Sequence, residues 1–443
     1  MTNANISYFT GLKFSQLTNL LFAFYLFLFA WLVTKVKFFK ESGLTKYQLI
    51  ILFLLKVIAG TIYGWIGVYY SEVAQMVDTW GYHYDSIKEY QTLITHPGVF
   101  FTDIFHNSYQ DGYTNFLTTQ NSWWNDLKGN SLVKLLALFN IFSFGSYYTN
   151  VIFYCFISFF GPVAIYRVMK DQFPENRIAL MFGTFLIPSF LYWTSGLHKE
   201  GILFLGLAMI IYHIYFMLKE KNFSFSRLVI ILLGFIILLG LRNFLILVLV
   251  PSIVAWILST KVKWQPVFTY GVVFSISILF FFTAKYIHPK LDLPHSVVLK
   301  QEEFIQLEGN SSIAVNKLQP SFSSFLINAP QAFSISTLRP YPSNVKHLLS
   351  MAAAIEVAFL FLLFLIFLFF RSGNKSVTPF KLFCVFFSFS VLMMIGYTVN
   401  VLGAVVRYRS IILPILVVPM VASINWKKIG GVLFDNMNNN YNV

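Results

Sequence analysis

The chain has 443 residues, of which 57% are hydrophobic and only 11% charged, so too little polar surface is present to cover a water-soluble globule of this size. Its net charge of +14 would suit nucleic acid, but a polytopic membrane protein also collects Lys and Arg in its cytoplasmic loops. Composition therefore excludes a soluble enzyme and favours lipid as the solvent, with no nucleic acid as partner.

Apolar segments along the whole chain predict about eleven transmembrane helices. They lie at residues 16–36, 48–70, 148–168, 178–194, 201–218, 227–241, 243–259, 266–285, 347–370, 379–398 and 406–424. The sequence thus predicts an all-α, polytopic integral membrane protein, with residues 1–443 forming a single transmembrane domain.

The linkers are of two kinds: short basic ones, such as TKVKFFKESGLTK, and two long ones at 71–147 and 286–346. Alternate linkers sum to 17 Lys+Arg and 5 Asp+Glu on one side, against 14 and 12 on the other. Because basic loops stay in the cytoplasm, we expect the N-terminus outside, the C-terminus in the cytoplasm and both long loops outside. Stretches such as SIKEYQTLITHPGVFFTDIF predict interfacial helices within these loops.

Several charged residues border the predicted outer ends of the spans. They are Asp78, His198, Lys199, Glu200, Arg242, Arg339, Arg407 and Arg409. Charges are costly in lipid, so their convergence would indicate a polar cavity between helices. We expect Lys199, Arg242, Arg339, Arg407 and Arg409 to bind a substrate phosphate, because guanidinium groups bind phosphate oxygens bidentately. Alternatively, each is an interfacial anchor, and Arg409 is only the neighbour of Arg407.

Asp78 is the candidate catalytic carboxylate. It would act as a general base toward an acceptor hydroxyl, or hold a divalent cation, Mg²⁺ or Mn²⁺, on donor phosphates. Tyr82, His83, His198, Glu200 and Tyr408 are supporting candidates, and the histidines lack partners at a metal-ligand spacing. Five other acids of the first loop compete with Asp78 for its role: Glu72, Asp85, Glu89, Asp103 and Asp111. Within the spans, Lys56 and Glu356 either pair or each reach a polar pocket.

The acid soon after a span (Asp78, then Tyr82) and the late element with Arg407, Tyr408 and Pro414 resemble the GT-C superfamily of polyprenyl-phosphate-dependent membrane glycosyltransferases. PSFLYWTSGLHKEGI and VLGAVVRYRSIILP also resemble segments of a group of Bacteroidetes membrane proteins. The outer arginines are similar to those of polysaccharide polymerases, which use a lipid pyrophosphate leaving group. The resemblance implies a bacterial inner-membrane enzyme with a polyprenyl-linked sugar donor, a glycan or protein acceptor, and Asp78 as catalytic carboxylate.

Two hypotheses of other classes stay open. A transporter or flippase of lipid-linked saccharides would use the same basic residues to bind phosphate without catalysis. A non-enzymatic subunit of an envelope or secretion complex would direct its charges at partner proteins. Substitution of Asp78 separates these hypotheses, because only an enzyme needs it for turnover.

Overall fold

A computed structural model describes residues 12–70, 78–105, 123–174, 176–307, 309–372, 377–426 and 428–429, with the backbone alone at 12–16, 105, 123–126 and 128. The α-helices are Leu12–Leu32, Lys37–Lys40, Lys46–Tyr69, Asp78–Thr95, Pro97–Thr102, Trp123–Ser143, Tyr147–Gln172, Arg177–Phe185, Pro188–Trp193, Lys199–Glu220, Phe225–Arg242, Phe244–Lys261, Pro266–Thr283, Leu293–Gln306, Phe322–Leu338, Leu348–Phe369, Pro379–Thr398, Leu402–Ser410 and Leu413–Ala422. Extended pairing in these ranges is limited to two isolated bridges. The all-α class is confirmed.

Eight helices in the described ranges are long and apolar enough to cross a bilayer, and they match eight of the predicted segments. The segment at 406–424 is a helix pair, bent by 62° between Leu402–Ser410 and Leu413–Ala422, which makes a ninth span if counted as one. The segment at 178–194 differs from the prediction, since it is two short helices with Pro188 starting the second. Proline lacks the backbone N–H that a continuous helix needs there. The segment at 16–36 ends as a helix at Leu32.

The chain forms two compact units, each built from two stretches of sequence. The first unit comprises Met1–Arg167 and Phe190–Phe244, and the second comprises Val168–Ser189 and Leu245–Val443. Long apolar helices occur in both units. The single transmembrane domain stays a prediction.

Close packing in the first unit centres on a glycine face of the helix Lys46–Tyr69. Gly60, Gly64 and Gly67 are spaced by four and three residues, so they lie on one side of the helix. A Cβ at Gly64 would collide with the Tyr147 ring, and one at Gly67 would meet Trp80 at 3.0 Å. Small residues let membrane helices approach this closely. The glycine face thus brings the start of the helix Asp78–Thr95 against the core of the unit.

In the second unit, the loop at 286–346 is fixed to the helices that follow it. It contains the helices Leu293–Gln306 and Phe322–Leu338. Leu402 N donates to Ser311 O at 3.0 Å, and Ile313 N donates to Asn400 O at 3.0 Å. Helices are therefore present in both predicted long loops, as expected, whereas residues 71–77 and 106–122 of the first loop lie outside the described residues.

Candidate functional site

A buried lysine holds the turn that carries the central histidine of the site. Lys56, only 2% exposed, donates from Nζ to Thr194 O at 2.7 Å and to Thr194 Oγ1 at 3.2 Å. Ser195 Oγ lies 3.4 Å from the same ammonium. A charge inside a membrane helix is costly unless such oxygens surround it. Lys56 therefore stabilises the non-helical stretch that leads into His198.

The start of the helix Asp78–Thr95 is held against the same turn. Thr79 Oγ1 donates to Leu197 O at 3.1 Å and lies 2.7 Å from the Tyr147 hydroxyl. Trp80 Nε1 donates to Gly64 O at 2.9 Å, and its ring stacks on Tyr147 with centroids 4.1 Å apart. These contacts place Asp78, the first residue of the helix, beside His198.

Asp78, His198, Glu200 and Arg242 form a continuous chain of charged and polar groups. Asp78 Oδ2 lies 3.5 Å from His198 Nε2. His198 Nδ1 contacts Glu200 Oε2, and Glu200 Oε1 accepts from Arg242 Nη2 at 2.8 Å. The Tyr154 hydroxyl donates to His198 O, which fixes the backbone of the histidine. The first unit thus brings together four of the residues selected from sequence.

The exposure of the side chains falls steeply from Asp78 to Glu200. The Asp78 side chain is 56% exposed and that of His198 2%, while the Glu200 side chain is fully buried. Helix ends favour this arrangement, because Glu200 lies in the first turn of Lys199–Glu220 and Arg242 ends Phe225–Arg242. Glu200 is a carboxylate paired with a guanidinium, so we assign the proton of neutral His198 to Nδ1. Nε2 is then a hydrogen-bond acceptor, like the Asp78 carboxylate that it faces at 3.5 Å, and a proton placed between the two would bond to both.

The remaining candidates of the first unit differ in their surroundings. Lys199 Nζ lies 5.2 Å from the centre of the Tyr82 ring, and this ring lies 5.7 Å from that of His198. Both residues border the charged chain. His83 is buried, and its burial lowers the pKa of its imidazole to about 4. At neutral pH, His83 is therefore an uncharged core residue and supplies no charge for a phosphate.

Two of the candidate arginines of the second unit, Arg339 and Arg409, lie at the end of the helix Phe322–Leu338. Buried Arg409 donates from Nη1 to Arg339 O at 2.6 Å and to Ser336 O at 3.3 Å. Arg339 lies 5.0 Å from the Tyr341 ring centre, and Arg407 lies 5.2 Å from that of Tyr408. Arg409 thus satisfies carbonyls at a helix C-terminus, where a cation is favoured. Arg339 and Arg407 are half-buried.

The competing acids of the first loop have other ionic partners or fall outside the described ranges. Asp85 pairs with Lys88 at 2.9 Å, and Lys134 pairs with both Glu89 at 3.0 Å and Asp103 at 2.6 Å. Glu72 and Asp111 lie outside the described residues. Among the acids of this loop that are described, Asp78 is the one placed against His198.

Sequence inspection missed two residues that organise the site. Tyr154 and Thr194 carry no charge and lie 44 and 138 residues from their partners His198 and Lys56. No local motif marks such distant contacts. Lys56 and Glu356, considered as a buried pair, each have hydrogen-bond partners within their own unit, Thr194 and Ser189 respectively.

No cluster of three or more metal-binding side chains occurs in the ranges that the structure describes. The divalent cation stays a prediction. The chain matches no protein-family model, no curated protein and no solved structure. The resemblance to GT-C glycosyltransferases therefore rests on the residues and segments quoted above.

Proposed function

We propose that the protein is a membrane glycosyltransferase that uses a polyprenyl-phosphate-linked or pyrophosphate-linked sugar. The observation that carries this proposal is the chain from exposed Asp78 through His198 to the buried Glu200–Arg242 pair. Glycosyl transfer to a hydroxyl needs a base that is accessible at one end and held in one orientation at the other. The series of side chains from Asp78 to Arg242 meets both requirements.

In the proposed reaction, the acceptor hydroxyl enters at Asp78 and transfers its proton to the Asp78–His198 pair. Its oxygen then bonds to the anomeric carbon, and the bond from that carbon to the phosphate oxygen breaks. Glu200 acts as a positioning residue, since it holds His198 in the tautomer whose Nε2 accepts a proton. Arg242 holds Glu200 in place by donating to its Oε1.

Binding of the donor phosphate is the proposed role of the remaining basic residues. Lys199, next to His198 in sequence, is the first-unit candidate for a phosphate oxygen. Arg339 and Arg407 are the second-unit candidates, while Arg409 serves the helix end Ser336–Arg339. The leaving phosphate is an anion, so a lysine or a guanidinium group beside it would stabilise it as the glycosidic bond breaks.

We place this site at the extracytoplasmic face of a bacterial inner membrane, with the N-terminus outside and the C-terminus in the cytoplasm. Support comes from the excess of Lys and Arg over Asp and Glu in the linkers assigned to the cytoplasm, 17 against 5. The proposed acceptor is a glycan or protein of the cell envelope, and an envelope protein complex is a further proposed partner.

The test is sugar transfer by the full-length protein in proteoliposomes. Wild type and variants receive a panel of synthetic polyprenyl-phosphate and polyprenyl-pyrophosphate monosaccharides with labelled sugars. We expect Asp78→Asn and His198→Gln each to lower transfer by at least about a hundredfold, the usual loss for an acid–base group. Asp85→Asn is the matched control, because Asp85 is an exposed acid of the same helix and should leave transfer within about twofold.

Two outcomes would contradict the proposal. One is an absence of sugar transfer by folded wild-type protein from every donor of the panel. The other is full transfer by Asp78→Asn and His198→Gln, which would remove the charged chain from the chemistry.

A lipid-linked saccharide transporter is the second candidate function. The observation that favours it is the helix pair Leu402–Ser410 and Leu413–Ala422, bent by 62° and carrying Arg407 and Arg409. Broken membrane helices form substrate sites in many transporters. A transporter would move a fluorescent lipid-linked sugar across the proteoliposome membrane, and Asp78→Asn would leave this movement unchanged.

A further inference from the structure

The second unit contains a cavity of about 660 Å³ that the proposed reaction does not use. This volume is within the usual range of small-molecule sites. Its wall comes from the helices Arg177–Phe185, Leu348–Phe369 and Leu413–Ala422. Apart from Glu356, Asn176 and Arg177, the lining is apolar or aromatic. An occupant would therefore be largely hydrocarbon.

One buried carboxylate interrupts this apolar wall. Glu356 is 6% exposed, and its Oε2 accepts from the Ser189 backbone N–H at 2.6 Å. Its Oε1 is buried and has no hydrogen-bond partner among the residues described. Buried polar atoms are nearly always hydrogen-bonded, so such an oxygen points to a donor supplied by a ligand.

A cationic side chain of the same unit is already close to Glu356. Arg409 lies near enough to interact with it electrostatically. A second cation in the cavity would leave Glu356 and Arg409 together with an excess of positive charge, which is unfavourable in a low dielectric. The Oε1 atom of Glu356 needs a hydrogen-bond donor, and an uncharged hydroxyl or amide group supplies one.

The cavity wall reaches the exposed surface of the unit. Ile178 is 78% exposed, Phe182 55% and Phe359 51%, and all three line the cavity. Phe359 belongs to the helix Leu348–Phe369, which is long and apolar enough to cross a bilayer, so its exposed ring would contact lipid hydrocarbon. A ligand would therefore enter from the membrane rather than from water.

We propose that this cavity binds a long-chain lipid with an uncharged hydrogen-bond donor, a hydroxyl or an amide N–H. The hydrocarbon chain of the lipid packs along Phe182, Phe359 and Leu363, and its hydroxyl or amide N–H donates a hydrogen bond to Glu356 Oε1. This site is independent of Asp78 and His198, so it stands whether or not the protein transfers sugar.

The test uses a photoreactive long-chain alcohol and its methyl ether, added to the purified full-length protein in nanodiscs. The two probes have the same chain, but only the alcohol has a donor. We expect the alcohol to label peptides containing residues 177–187 and 356–363 about tenfold more than the ether does, as for the loss of one hydrogen bond to a charged group. Glu356→Gln should lower labelling by the alcohol to that of the ether.

A pair of tryptophan substitutions tests the place of binding. Leu363 lines the cavity, whereas its neighbour Leu362 is 52% exposed and outside the lining. Leu363→Trp should fill the cavity and lower labelling by the alcohol severalfold, and Leu362→Trp should leave it unchanged.

Equal labelling of wild type by alcohol and ether would overturn the proposal, since it would indicate partition of the chain alone. This comparison needs no variant, so misfolding of a variant cannot obscure it. A long-chain amine that labels the cavity in place of the alcohol would also overturn it, because the site would then select a cation. Unchanged labelling of folded Glu356→Gln would exclude Glu356 as the acceptor.

Discussion

The two units use a buried arginine in opposite ways. In the first unit, Arg242 pairs with the carboxylate of Glu200, which in turn contacts His198. In the second unit, the hydrogen bonds of Arg409 go to the carbonyls of Ser336 and Arg339. The first arginine binds the carboxylate that contacts His198, and the second binds carbonyls at the end of a helix. A buried arginine alone therefore does not identify a phosphate site, and its partners decide its role.

The largest expected effect is the loss of the buried ion pair in the first unit. Arg242→Met leaves Glu200 as a buried charge without its partner and should lower the free energy of unfolding by about 3–5 kcal/mol. Denaturant unfolding of the purified protein in detergent measures this change.

The matched control is the less buried pair of Glu220 and Arg227, whose side chains are 44% and 21% exposed and which joins the same two helices. Arg227→Met should lower the free energy of unfolding by at most about 1 kcal/mol, because water screens this pair. Equal losses in Arg242→Met and Arg227→Met would contradict the role given to burial.

A smaller loss of stability is expected from a substitution in the second unit. Arg409→Met removes the donor to two helix-end carbonyls and should lower the free energy of unfolding by about 2–3 kcal/mol. Arg409→Lys retains one donor and should lose less. If sugar transfer responds while stability is unchanged, Arg409 belongs to the substrate site and the contrast between the units fails.

Glycine packing provides the next comparison. Gly64→Ala in the first unit places a methyl group against the Tyr147 ring and should lower the free energy of unfolding by about 1–3 kcal/mol. At Gly271 in the second unit, the added methyl meets nothing within 4 Å. Gly271→Ala should therefore be neutral or stabilising by up to about 1 kcal/mol. Thermal unfolding of both variants in one detergent makes the measurement.

The effect that is smallest at neutral pH is a pH dependence from His83 in the first unit. Its pKa is lowered to about 4 in the folded protein, against about 6.5 in the unfolded chain. The unfolded state therefore binds more protons between these values, so stability falls as the pH drops below 6.5 and levels off near 4. His83→Asn should reduce this slope, by up to about 1.4 kcal/mol per pH unit. If wild type and His83→Asn showed the same pH profile of thermal unfolding, the role given to His83 would be contradicted.

Much of the fold could be predicted from the sequence, because long apolar segments are a local property. The eight long spans follow directly from hydropathy and length. The break at Pro188 was missed because the apolar run continues through it. Proline in an apolar segment does not by itself decide between a kink and a helix end.

The candidate site was predicted only in part. Asp78, His198, Glu200 and Arg242 were selected because charge is rare near span ends, and the structure joins them. The order in which these four side chains contact one another depends on contacts between helices that are distant in sequence. The contributions of Tyr154 and Thr194 depend on such contacts as well. Arg409 was selected as a phosphate ligand because sequence shows its charge but not its carbonyl partners.

The most direct test of the account is to measure donor binding and single-turnover sugar transfer on the same Asp78→Asn protein. Asp78 is more than half exposed, so its amide variant should fold and bind donor with an affinity within about threefold of wild type. We predict that transfer falls by at least about a hundredfold. Transfer at the wild-type rate by this variant would contradict the central claim that Asp78 and His198 accept the proton.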